Sequence, residues 1–166
     1  FRSRPTADRT RETLFSMLTS RLGSFEGLQV LDLFSGSGAL GLEALSRGAA
    51  HCVFVEQDKA TLDALESNIS KLGARGLTEI RRSSVLSLGP ATKAYDLILM
   101  DPPYGTGAGA VALDKMSRLG WVASGALVSI ETGNREDSVV KGFEIDTTRD
   151  IGKARITLLR PESVAK

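Results

Sequence analysis

The sequence is poor in the residues that build metal centres, disulfides and membrane spans. It has one cysteine, Cys52, and one histidine, His51. A single thiol forms no internal bridge, so a reducing cytoplasm is the expected compartment. Neither residue has partners at metal-ligand spacing, which predicts no metal site. No apolar run approaches the roughly 18 residues of a membrane span, and no signal-peptide pattern opens the chain. Aromatics are scarce, at 5%. Charge of one sign is also lacking, since 21 Lys+Arg against 20 Asp+Glu leave +1. Taken alone, that balance argues against a nucleic-acid partner. With 42% hydrophobic and 25% charged residues, the 166-residue chain has ordinary globular composition and the length of one domain. It opens on Phe1 rather than Met, which predicts an N-terminal segment missing from it.

The charge is unevenly spread. Residues 1–21 hold Arg2, Arg4, Arg9, Arg11 and Arg21 against Asp8 and Glu12, a local balance of +3 on a body of −2. Arginines near a helix start oppose the helix dipole, which favours a role in binding anions such as phosphates for Arg2, Arg4, Arg9 and Arg11. The pattern predicts an arm over 1–5, then a helix over about 7–22 capped by Thr6, with Leu14, Phe15, Leu18 and Leu22 at helical spacing and Gly23 as the stop. Apolar strand-like runs follow at Gln29–Phe34, Cys52–Glu56, Leu77–Arg82, Asp96–Asp101 and Ala126–Glu131. Helical segments separate them at Ala39–Arg47, Lys59–Leu72 (capped by Asp58) and Ala108–Leu119. Continuous apolar strands imply burial on both faces, hence a parallel sheet covered by helices. Phe143–Arg149 and Ala154–Arg160 alternate apolar and polar residues around a turn at Asp150–Lys153, which predicts an antiparallel hairpin at the sheet edge. The whole suits an α/β, doubly wound Rossmann-like sheet with its ligand at the carboxyl ends of the strands.

Two motifs carry chemistry. After the first strand, Gly36-Ser37-Gly38-Ala39-Leu40-Gly41 fits G-x-G-x-x-G at a strand-to-helix junction, and Glu56 stands 20 residues beyond Gly36 at the end of the second strand. The glycines let backbone approach a ligand, and the acid can accept hydrogen bonds from both ribose hydroxyls. A dinucleotide would present a pyrophosphate to the helix. Asp32 within the strand and Phe34 before the loop suit instead S-adenosylmethionine (SAM), whose amino-acid end is cationic. The second motif, Asp101-Pro102-Pro103-Tyr104, ends the fourth strand. An exocyclic base amine is a poor nucleophile because its lone pair is delocalised into the ring. The Asp101 carboxylate and the Pro102 carbonyl can each accept an N–H from it and localise that pair toward a methyl group. Pro102 and Pro103 fix the backbone there, and the Tyr104 ring offers a stacking platform worth about 1–3 kcal/mol.

Three segments, Arg4-Pro-Thr-Ala-Asp-Arg-Thr-Arg-Glu-Thr-Leu-Phe15, Leu31-Asp-Leu-Phe-Ser-Gly-Ser-Gly-Ala-Leu-Gly-Leu-Glu-Ala-Leu-Ser-Arg-Gly48 and Asp101-Pro-Pro-Tyr104, give the chain a resemblance to the bacterial RsmD-type family over nearly its whole length. That family methylates the guanine 2-amino group of small-subunit ribosomal RNA. The resemblance implies a class I SAM-dependent methyltransferase fold, a mostly parallel seven-stranded sheet with a C-terminal antiparallel hairpin. It implies a basic arm and helix over 1–22 and the methyltransferase body over 23–166. Asp32, the loop Phe34–Gly38 (with Ser37) and Glu56 with Gln57 would hold the donor, Ser84 and Val85 would lie against adenine, and Asp101–Tyr104 would hold the target base. The implied partner is small-subunit ribosomal RNA; the small size of the chain further predicts an assembled or partly assembled particle as substrate, met by a cytoplasmic monomer. This sequence departs from the family where Ser84 replaces a common Asp or Asn, where Ile151-Gly152 replaces Tyr-Gly, and in lacking a basic segment ahead of Arg4. Amine methylation of DNA or other RNA, a nicotinamide-dependent oxidoreductase and a non-catalytic RNA-binding module are the rival readings.

Overall fold

A computed structural model describes residues 4–163, together with the side chains of residues 6–163. Arg2 and the side chain of Arg4, expected to meet RNA, lie outside the described residues. Seven strands form one sheet: β1 (Gln29–Leu33), β2 (His51–Val55), β3 (Thr78–Arg81), β4 (Tyr95–Met100), β5 (Val122–Gly133), β6 (Phe143–Ile151) and β7 (Ala154–Pro161). Their order is β3-β2-β1-β4-β5-β7-β6. The first five run parallel, and β7 reverses against β5 and pairs with β6 as the hairpin. Every parallel strand therefore delivers its carboxyl end to one rim of the sheet, with the order reversing between β1 and β4.

Four helices cover the two faces: α1 (Arg4–Leu22), α2 (Ala39–Ser46), α3 (Lys59–Lys71) and α4 (Ala108–Arg118). Strand alternation sorts the core into two layers. Val30, Phe54, Leu97, Leu99 and Leu127 meet Leu14, Phe15 and Leu18 of α1, Leu42 of α2, and Leu62, Leu65 and Ile69 of α3. On the opposite face Leu31, Val53, Ile98, Met100, Val128 and Ile130 meet Ala112, Leu113 and Met116 of α4. Burying each of these large side chains is worth about 1.5–3 kcal/mol, so the stripe on α1 alone fixes that helix to the body. Trp121 anchors the second layer, stacked on Tyr95 with its indole N–H donating to the Gly89 carbonyl at 2.8 Å.

Several expectations need correction. The first helix begins at Arg4 rather than about residue 7. Pro5 is compatible with a first helical turn, where its missing N–H is not needed. Thr6 is therefore inside the helix and does not cap it; its carbonyl instead accepts from Thr10 Oγ1 at 3.0 Å. The first strand stops at Leu33, because Phe34 turns into the left-handed region with φ 57°. β5 starts four residues before Ala126, with Ser124 and Gly125 accommodated by a register shift between Tyr95 and Leu97. The Asp58 cap is present, its side chain accepting from Thr61 N at 2.9 Å.

Candidate active site

The loop after β1 is held from three sides. Gly36 (φ 55°) and Gly38 (φ 88°) adopt left-handed backbone, as does Phe34, the single non-glycine residue to do so among the described residues. Such a conformation costs a residue with a Cβ about 1–2 kcal/mol, and surrounding bonds must hold it. Ser35 N donates to the Val55 carbonyl at 3.0 Å, Gly36 N to Glu56 Oε1 at 2.9 Å, and Asn68 Nδ2 to the Ser37 carbonyl at 2.9 Å. Glu56 also receives Gln57 N at 3.0 Å and Asp58 N at 2.9 Å on Oε2. Three backbone amides thus occupy three of its roughly four acceptor positions, leaving one on Oε1.

Asp32 sits beneath this loop and does not line the cleft. It is 1% exposed, and its Oδ2 accepts Gly41 N at 3.0 Å. Gly38, the N-cap residue of α2, has no side chain to cap the helix. Asp32 supplies the missing acceptor from the adjoining strand, at the third amide of the helix. Burial pushes its carboxyl well above the ordinary carboxylate range; the Gly41 bond opposes this, while Asp101 and Glu56 reinforce it.

At the end of β4, Pro102 is buried against α4: a Cβ at Gly109 would come within 3.2 Å of Pro102 Cγ and 2.9 Å of Ile130 Cγ2. Thr106 Oγ1 donates to the Pro103 carbonyl at 2.8 Å and accepts Ala108 N at 3.2 Å, fixing the turn into α4. Tyr104 is 42% exposed, and its hydroxyl donates to Glu131 Oε2 at 2.6 Å.

These pieces meet in a cleft of 740 Å³. Phe34, Gly36, Ser37, Glu56, Gln57, Asp101, Pro102, Pro103 and Tyr104 line it, and α1 contributes Ala7, Thr10, Arg11 and Leu14 as a wall. A second hollow of 340 Å³ shares Phe34, Glu56 and Gln57 with the cleft and is walled by Ser84, Val85, Ala108 and Val111. Both volumes are within the range of small-molecule sites. Among the expected site residues, Gly38 lies behind the loop, where a Cβ would approach Leu65 Cδ1 to 2.4 Å. Arg11 lines the cleft yet is paired, with Glu43 at 3.0 Å and Asp8 at 3.3 Å, and so helps dock α1 on α2. Arg9 is exposed and reaches toward the hairpin turn at Gly152. Arg75, Arg81 and Arg82 lie on the exposed rim beyond β2, Arg81 paired with Glu79 and Arg82 with Glu66. Among the described residues, no three His, Cys, Asp or Glu side chains are grouped so as to hold a metal ion, and no helix is long and apolar enough to cross a membrane.

Sequence reasoning missed Thr10, Leu40, Thr61 and Glu131 as cleft residues. Glu131 had a signal: an acid closing an apolar run marks a buried carboxylate with a partner. The other three have none, since ordinary helix residues become site residues only through packing.

A parallel sheet with a reversed C-terminal hairpin, a glycine loop after β1, an acid after β2 and Asp-Pro-Pro-Tyr after β4 define the class I SAM-dependent methyltransferase fold. The magnesium protoporphyrin IX methyltransferase of Synechocystis PCC 6803, a structure with bound SAM, shares that fold at 17% identity and a TM-score of 0.71, over 95% of this chain and 81% of its own. Within this class the chain belongs to the family described as Conserved hypothetical protein 95, which it matches over residues 2–160. It is 36% identical over 129 residues to the Ribosomal RNA small subunit methyltransferase D of Escherichia coli strain K12, which agrees with the RsmD-type resemblance. That match takes in 78% of this chain and spans 64% of the relative's length. The solved structure of Escherichia coli yhhF is 30% identical, with a TM-score of 0.83 over 94% of this chain and 88% of that one.

Proposed function

We propose that the protein transfers a methyl group from SAM to the exocyclic 2-amino group of a guanine in small-subunit ribosomal RNA. The observation that carries this reading is the meeting of Asp101, Pro102 and Tyr104 with the glycine loop and Glu56 in one cleft. Likeness to the Escherichia coli enzyme supports ribosomal RNA as the substrate class. In this reading Phe34, Gly36 and Ser37 bound the donor's methionine end, and the remaining acceptor position on Glu56 takes one ribose hydroxyl. The second hollow, with Ser84, Val85 and Val111, encloses adenine. Asp32 acts from below by holding the loop-to-helix turn.

The donor supplies an electrophilic methyl: its S–CH3 bond breaks as the N–CH3 bond forms, the electron pair stays on sulfur, and one amine proton passes from the methylated nitrogen to solvent. Asp101 and the Pro102 carbonyl accept the amine N–H groups and aim its lone pair, while Tyr104 stacks on the base. Positioning supplies most of the rate, and no strong base is needed. Arg2, Arg4 and Arg9 contribute phosphate contacts, and the substrate is an assembled or partly assembled particle met by a cytoplasmic monomer.

The test is incubation with labelled SAM and small-subunit particles from a strain lacking the activity, followed by nucleoside analysis. The expected product is 2-methylguanosine, and absence of label from guanine refutes the reading. Asp101→Ala should lower methyl transfer at least about 100-fold while SAM affinity changes little. Equal losses in both would refute its assignment to the amine.

A further inference from the structure

Asp101 is not the only acid at the mouth of this cleft. In the parallel β4–β5 pair, Met100 is opposite Ile130, so Asp101 and Glu131 are the next residues along two neighbouring strands. Such strands lie about 4.8 Å apart. Glu131 is 8% exposed, lines the same cleft, and receives the Tyr104 hydroxyl on Oε2. One buried carboxylate is therefore tied to the stacking ring and set beside the group assigned to the amine.

Guanine has a feature that matches this pair. Its 2-amino group is adjacent to N1–H, so its pairing edge presents two neighbouring donors. If Asp101 and Pro102 take the amine hydrogens, N1–H still requires an acceptor, and leaving it unmet in a closed site would be costly. Adenine and 2-aminopurine carry a lone pair at N1 instead, which a carboxylate repels. We propose that Glu131 is a specificity-determining residue that accepts guanine N1–H, so the site selects guanine by a pair of adjacent carboxylates. The inference rests on the guanine reading above. The bond from Tyr104 takes one acceptor position on Oε2 and fixes the ring over the base that Glu131 reads.

The test first maps the methylated guanine, then rebuilds small-subunit particles with RNA carrying guanine or 2-aminopurine at that nucleotide. 2-Aminopurine keeps the reacting amine and lacks only the oxygen and the N1 proton. The wild-type protein should prefer guanine by about 100-fold or more, because a site built to accept a hydrogen bond rejects an analogue without the donor. Glu131→Gln, whose amide can turn to donate as well as accept, should narrow that preference to about tenfold or less with SAM affinity retained. Glu131→Asp should keep the preference at a lower rate, and Tyr104→Phe should keep it as well. An unchanged preference in Glu131→Gln overturns the inference and leaves guanine methylation standing. An equal drop in Tyr104→Phe also overturns it, since Glu131 would then act only by holding the ring. Failure of the wild-type protein to label guanine in any particle overturns the underlying reading, and this inference with it.

Discussion

Replacing Gly41 by alanine sets two familiar effects against each other. Alanine is favoured over glycine in a helix interior by about 1 kcal/mol. At Gly41, however, an added Cβ would be 2.5 Å from Phe54 Cε1, 2.6 Å from Cys52 Sγ and 2.9 Å from Phe54 Cζ. Ordinary contact begins near 3.4 Å, so the methyl must gain almost an ångström against two side chains at once. Neither can withdraw, because both are fully buried on β2, which is flanked by β1 and β3. Overpacking of this kind costs about 1–3 kcal/mol and outweighs the propensity gain. A net loss of up to about 2 kcal/mol should lower Tm by up to about 8 °C in a chain of this size. Relief is available only by moving α2 outward, which pulls Gly41 N from Asp32 and shifts the loop that lines the cleft. SAM affinity, read by calorimetry, should therefore fall together with Tm, read by circular dichroism. Shortening the obstacle with Phe54→Leu should make the double variant less destabilised than the two single losses predict, with coupling of about 1 kcal/mol. A Tm at or above wild type in Gly41→Ala would refute the argument, because the helix propensity term would then have won.

Two further predictions concern pH. Burial raises the Asp32 carboxyl above its ordinary value near 3.8, so above that pH the unfolded chain releases a proton that the folded chain keeps. Stability contributed by protonated Asp32 is present at low pH and lost as pH rises toward the raised value, by up to about 1.4 kcal/mol per unit. Asp32→Asn should thus gain on wild type in urea denaturation as pH rises above the ordinary carboxylate range, and parallel curves would contradict the assignment. Asp146 behaves oppositely: partial burial pushes its carboxyl up, yet hydrogen bonds from Arg21 and Arg160 outweigh this and hold it below the ordinary range. Arg21 Nε lies 3.0 Å from Asp146 Oδ1 and Arg160 Nε 3.1 Å from Oδ2, tying the end of α1 to the hairpin. These groups are part-exposed, so Asp146→Ala should cost only about 1 kcal/mol at pH 7. That cost should vanish as acid protonates the carboxyl, and an equal cost at pH 3 would exclude the network as its source.

The helices and strands were largely legible because their signals are short-range. Leu62, Leu65 and Ile69 repeat at helical spacing, Asp58 precedes them as a cap, and β1, β2 and β4 are apolar on both faces. Where the local signal misled, a tertiary partner was responsible. Thr6 has the chemistry of a cap, but α1 is carried past it by the docking of Leu14, Phe15 and Leu18 on the sheet. Asp32 suggested a ligand contact by its position beside the glycines. Its burial and its bond to Gly41 N depend on where α2 starts relative to β1.

The sequence by itself determined the glycine loop, the acid after β2 and the proline-fixed turn after β4. Backbone sterics over a few residues dictate each of these. It also determined their order along a parallel sheet, and so the rim on which they meet. Only the tertiary structure decided that α1 walls the cleft and that Arg11 is bound to Glu43. The pairing of Tyr104 with Glu131, 27 residues away, was decided there too. Contacts of that range depend on strand register and helix docking, which no local pattern encodes.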